Sequence, residues 1–160
     1  MLHNNLHKSS YLVCVNTEEY SEVALHYACM MARKNNASVV LLYVIEPADY
    51  SSFGMVADKI RNEQHEEAQK LLNDLARKAK EWSGAMPVVI VREGVIEDQI
   101  IEAVTEYENI NMLITGIATE SAQKSRIIPP LVAALGTKLQ IPMLIVPGNK
   151  SLYNLSSGSG

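Results

Sequence analysis

Five runs of aliphatic and β-branched residues, separated by stretches of helical periodicity, constrain this chain more than anything else in it. They are YLVCV (11–15), ASVVLLYVIEP (37–47), MPVVIV (86–91), NMLITG (111–116) and PMLIVP (142–147). None alternates apolar with polar residues, so none reads as a strand with one wet face. Continuous apolar strands between amphipathic helices predict a five-stranded parallel sheet covered on both faces, a doubly wound α/β domain of three layers.

The intervening segments fit that layout. Thr17 is expected to cap a first helix, with Glu18 and Glu19 in its first turn and Ala24, Leu25, Ala28 and Ala32 as its buried stripe. Ile60, Ala68, Leu71, Leu72, Leu75, Ala79 and Trp82 share one face of a long second helix. Ile96, Ile100, Ile101, Val104 and Tyr107 line a third. A fourth starts within RIIPPLVAALG (126–136), with Leu131, Val132, Leu135 and Leu139 on one side. The domain is predicted over 10–148, between an N-terminal arm, 1–9, and a flexible tail, 149–160.

Composition narrows the function classes. With 14 Lys+Arg against 18 Asp+Glu the net charge is −4, which offers no basic face for a nucleic acid. No apolar run approaches the roughly 20 residues of a membrane span. The opening MLHNNLHKSS lacks the apolar centre of a signal peptide, so a cytoplasmic location is expected. Cys14 and Cys29 form no CxxC and are expected as buried apolar fillers. His26 and His65 sit in helical stretches and read as packed or solvated, and no metal site is expected.

In an open parallel sheet, ligands bind beyond the carboxyl ends of the strands. That directs attention to Asn16–Thr17, Val44–Glu46, Arg92–Gly94 and the connection from Gly116 to Ile128. No enzyme signature appears there. VVIVREG offers no Asp for a phosphoacceptor, and a P-loop, a Rossmann glycine triplet and a Gly-x-Ser-x-Gly elbow are all absent. Glu18, Glu19, Glu46 and Glu93 can gather at the strand tips, where they read as a solvated rim rather than an acid/base pair.

YLVCVNTEEYSEVALHYA, LLYVIEP, GVIEDQIIEAV, MLITG and IPMLIVPG, in this order and spacing over about residues 10–148, resemble the universal stress protein family. The resemblance implies the adenine-nucleotide α-hydrolase-like, Rossmann-like sandwich. It also implies a site in which an Asp closes the first strand, late second-strand backbone meets adenine, and a Gly-x2-Gly-x9-Gly-Ser/Thr motif holds ribose and phosphates. Carried onto this chain, Asn16 replaces the Asp and Thr17 follows it, while Val44 takes the adenine-facing place. Gly116, preceded by Thr115, matches the first glycine; Thr119 stands at the second; Pro129 and Pro130, followed by Leu131, replace the final Gly and Ser/Thr.

That last replacement has a physical consequence. A helix start grips phosphate through unpaired N–H groups, and proline has none. Each hydrogen bond to a charged group is worth about 1.5–3 kcal/mol. Losing two or three weakens triphosphate binding by roughly 3–9 kcal/mol, at least ~100-fold. Thr119 lacks the close approach that glycine permits. Gly136–Thr137 lies near the far end of the helix, where the dipole repels phosphate.

The expectation is therefore a non-catalytic stress-type protein with impaired ATP binding, no required cofactor and at most weak affinity for an adenine nucleotide. The family commonly dimerises through its last strand, here Pro142 to Pro147, and protein partners of unknown identity are expected. The alternative is an adenine-nucleotide sensor, with ATP or AMP as ligand and slow ATP hydrolysis, in which Lys124 and Arg126 replace the missing donors. A further reading makes ADYSSFGMV (48–56), with Tyr50 and Phe53, a partner-docking lid.

Overall fold

The structure, a computed structural model, describes residues 8–47, 54–107, 109–118 and 128–148. The expected tail and most of the expected arm lie outside them, as do Tyr50 and Phe53. Five parallel strands, β1 (Ser10–Val15), β2 (Ser38–Ile45), β3 (Val88–Glu93), β4 (Ile110–Ile117) and β5 (Met143–Pro147), lie in the order β3-β2-β1-β4-β5. The chain winds outward from β1 to β3, then returns to the other side of β1. The switch point falls between β1 and β4.

Apolar continuity along the strands is resolved by the two-residue period of a strand into two cores. Tyr11, Val13, Val15, Val39, Leu41, Ile114 and Val146 face one layer, made by α1 (Glu19–Asn35) and α2 (Ala57–Ser83). Leu12, Cys14, Val40, Leu42, Ile90 and Leu113 face the other, made by α3 (Ile96–Glu106) and α4 (Ile128–Ala134). Both cysteines are free and buried, as expected. Ser9, counted with the arm in the sequence, is bound to the sheet: its carbonyl accepts the Ser38 N–H and its hydroxyl accepts from Asn111 Nδ2, at 2.8 and 2.7 Å.

Three local expectations need correction. Thr17 does not cap α1, which begins at Glu19 after an exposed Glu18 without a side-chain cap bond. Asn16 orders the turn before the helix instead: Oδ1 accepts the Glu18 N–H at 2.9 Å and the Ser21 hydroxyl at 2.8 Å, and Ser21 Oγ accepts the Asn16 N–H at 2.8 Å. The asparagine offers its side chain two residues ahead in a turn that a threonine forms less well. Val132 is 52% exposed rather than buried, while Leu131 and Leu139 are buried. The α-helix stops at Ala134 and continues as a π turn over Leu135–Leu139, so a single 3.6-residue stripe does not run through the segment. Finally, β3 is an edge strand, and Val88 and Val89 are partly exposed rather than covered.

Between α1 and α2, His26 is 5% exposed and stacks on Trp82, with ring centroids 4.2 Å apart and planes 28° apart. Its Nδ1 is buried without a hydrogen-bond partner among the described residues. One turn away, Lys78 reaches from α2 to Glu22 at 2.8 Å and to Asp74 at 3.3 Å. Burial holds the His26 pKa below its ordinary value, and the Glu22 charge opposes this only in part. Below about pH 6.5 the unfolded chain therefore binds more protons at this position than the folded one does. That contribution to stability is present at neutral pH and is lost as the pH falls. Urea midpoints of the native chain are expected to decline between pH 7 and pH 5 more steeply than those of His26→Phe.

Candidate functional site

The cleft at the switch point follows from unequal strand lengths. The last ladder pairs of β1 are Val15 with Tyr43 and Cys14 with Thr115. Val44 and Ile45 of β2, and Gly116 and Ile117 of β4, run on past its end. The space left above β1 has a volume of about 430 Å3, within the roughly 300–1,000 Å3 of small-molecule sites.

Its walls come from five segments. Cys14 and Val15 form the floor, and Asn16, Thr17, Glu18 and Tyr20 the start of α1. Tyr43 to Glu46 come from β2, Gln64 and Glu67 from α2, Ile96 from α3, and Gly116 to Ala118 from β4. Asn16, Thr17, Val44 and Gly116 are thus brought together as the sequence expects. Thr115 (2% exposed) and Leu131 (fully buried) are not among the lining residues, and neither is Pro129, exposed in the first turn of α4. Thr119, Lys124 and Arg126 lie outside the described residues, and of Pro130 only the backbone is described.

Gly116 has a structural task. A Cβ placed there would lie 2.3 Å from the Tyr20 carbonyl oxygen and 2.9 Å from Tyr20 Cδ2. One at Gly148, whose N–H donates to the Ile117 carbonyl at 2.7 Å, would lie 2.7 Å from Tyr20 Cβ. The first turn of α1 therefore sits in a recess that only glycine leaves open. Asn16 Nδ2 donates to the Tyr20 hydroxyl at 2.9 Å and fixes the ring across the cleft.

The site's chemistry is that of a binding cleft. Burial pushes the Cys14 thiol up to about 12, so it is not a nucleophile near neutral pH. Tyr43 is also held above its ordinary range, first by burial and then by the Glu67 charge. Glu93 is drawn away from the other strand-tip acids to Arg61 at 3.6 Å and His65 at 3.4 Å. Thr137 donates to the Ala134 carbonyl at the far end of α4. Among the described residues no group of His, Cys, Asp and Glu is arranged to hold a metal, and no helix is long and apolar enough to cross a membrane.

Sequence reasoning missed Tyr20, Tyr43, Gln64, Glu67 and Ile96. Tyr20 and Tyr43 stand beside expected site residues and could have been found as aromatics interrupting strand tip and helix start. Gln64 and Glu67 carry no local signal, because they belong to the polar face of a long helix.

The family model of the universal stress protein family matches residues 10–147. The chain belongs to the universal stress protein family. No curated protein sequence matches it. Among solved structures it is similar to universal stress protein UspA from Lactobacillus plantarum, with 13% identity over 88% of this chain and 98% of that one, at a TM-score of 0.72. A universal stress protein in complex with cAMP is 19% identical over 88% and 97%, at 0.65. One from Arabidopsis thaliana with AMP bound is 17% identical over 87% and 91%, at 0.61. At these identities the likeness is one of fold, and it bears out the adenine-nucleotide α-hydrolase-like sandwich.

Because α1 is seated on Gly116, the Gly116→Ala variant of this stress protein is expected to lose at least about 2 kcal/mol of stability, since the added methyl meets backbone that cannot yield. Urea denaturation measures this, and an unchanged midpoint would remove the packing role assigned to the glycine.

Proposed function

We propose that this universal stress protein is a non-catalytic, homodimeric interaction module whose cleft accepts an adenine-type ligand but grips a triphosphate poorly. One observation carries the reading. The wall that meets base and ribose is assembled, with Asn16, Val44 and Gly116 at one cleft, whereas α4 opens as Ile128–Pro129–Pro130. Two of its first three positions have no N–H to offer a phosphate. Two relatives of the same fold, solved with cAMP and with AMP, support the choice of adenine as the ligand class. They equally support a second reading, an adenine-nucleotide sensor, whose finer form adds slow ATP hydrolysis with Lys124 and Arg126 replacing the missing donors.

Calorimetric titration with ATP separates the two. Restoring the motif with Pro129→Gly/Pro130→Ser is expected to tighten ATP binding at least ~100-fold, the equivalent of two recovered charge-assisted hydrogen bonds. A micromolar ATP complex of the unaltered chain, or measurable hydrolysis, would favour the sensor instead.

Dimerisation is supported by the outer edge of the sheet. Among the described residues β5 has a partner on one side only, and Ile145 (37% exposed) lies on it, with Val132 of α4 exposed in the neighbouring layer. An apolar edge strand invites a second strand, and Pro142 and Pro147 confine that pairing to the few residues between them. Light scattering is expected to give twice the 17.7 kDa of the chain, and Ile145→Lys the monomer mass.

A further inference from the structure

The charge of the cleft bears on which adenine compound it holds. Glu18 stands at its α1 end, Glu46 at the tip of β2, and Glu67 reaches it from α2. No lysine, arginine or histidine is among the described lining residues. Glu46 is engaged in an interaction of its own, so the variants that test the charge are placed at Glu18 and Glu67.

The nearby helix start does not offset this charge. α1 is preceded by Glu18 and carries Glu19 and Glu22 in its first turn, so its dipole is already met by acids of its own chain. Three backbone donors at the turn are also occupied. Asn16 N–H bonds Ser21 Oγ, Glu18 N–H bonds Asn16 Oδ1, and Ser21 N–H bonds the Glu18 carbonyl at 3.0 Å. A phosphate brought here meets like charge from two elements, Glu18 at the start of α1 and Glu67 of α2.

An uncharged ring meets the opposite situation. Tyr20, Tyr43, Val44 and Ile96 give it aromatic and aliphatic walls. The Tyr20 hydroxyl accepts from Asn16, so its own proton points to an acceptor other than that amide. The carboxylates supply acceptors for sugar hydroxyls.

We infer that the cleft selects an uncharged nucleoside over its phosphorylated forms, with Glu18 and Glu67 as the residues that turn the phosphate away. This rests on the adenine reading of the cleft and names the ligand class within it.

The test is titration of the full chain with adenosine, AMP and ATP, without divalent metal, at low ionic strength and again in about 0.5 M salt. Adenosine is expected to bind most tightly, AMP at least about tenfold more weakly and ATP more weakly still, with the differences shrinking in salt. Glu18→Gln/Glu67→Gln is expected to raise the ratio of AMP to adenosine affinity about tenfold. Both side chains are exposed, and circular dichroism checks that the double variant keeps its fold. AMP binding as tightly as adenosine, or a ratio the double variant leaves unmoved, would overturn the charge selection while the adenine cleft stood. If none of the three compounds bound, the adenine reading would fall and the inference with it.

Discussion

The contact on which the site depends is the seating of Tyr20 against Gly116 and Gly148. Helices normally stand off a sheet by the depth of two side-chain layers. Here the first turn of α1 closes that distance, because β4 and the residue after β5 have no Cβ where Tyr20 comes in. The approach fixes where the β1–α1 turn lies, and Asn16 locks it by bonding Tyr20, Glu18 and Ser21 together. With that turn fixed, one wall of the cleft is fixed too.

The same arrangement explains how a residue matched to a phosphate motif serves mainly as packing. Space beside Gly116 is occupied by the Tyr20 backbone. Among the described residues the cleft carries aromatic rings, a buried thiol held protonated, carboxylates, the Asn16 and Gln64 amides and the Thr17 hydroxyl. Such a set suits recognition of a flat, polar but uncharged molecule. It suits stabilisation of a developing negative charge poorly, since that requires donors or cations aimed at one point.

Much of the fold could be read locally. The five strands and four helices follow from apolar continuity and from 3.6-residue stripes, and the stripe of α1, with Ala24, Leu25, Ala28 and Ala32, is buried as its spacing requires. Periodicity failed where the backbone departs from it. Val132 faces out, and α4 gives way to a π turn after about two turns, so one stripe does not run through the segment. The cap expected at Thr17 also failed: α1 begins at Glu19 without a side-chain cap, and Asn16 orders the turn before it through Glu18 and Ser21. Half of the site was legible, the strand-tip residues Asn16, Val44 and Gly116. The half from α2 was not, since Gln64 and Glu67 look like any solvated helix face.

The sequence by itself determined the layered sheet and the loss of N–H donors at the start of α4, because hydrophobic periodicity and the chemistry of proline act over a few neighbouring residues. Only the tertiary structure decided the strand order, the filling of the Gly116 recess by Tyr20, and the gathering of Glu18, Glu46 and Glu67 around one cleft. These join residues as many as 128 positions apart, Tyr20 and Gly148 being brought together by the seating of one helix on the sheet's far strands. Such distances are set by packing and backbone clearance, and no short stretch of sequence encodes them.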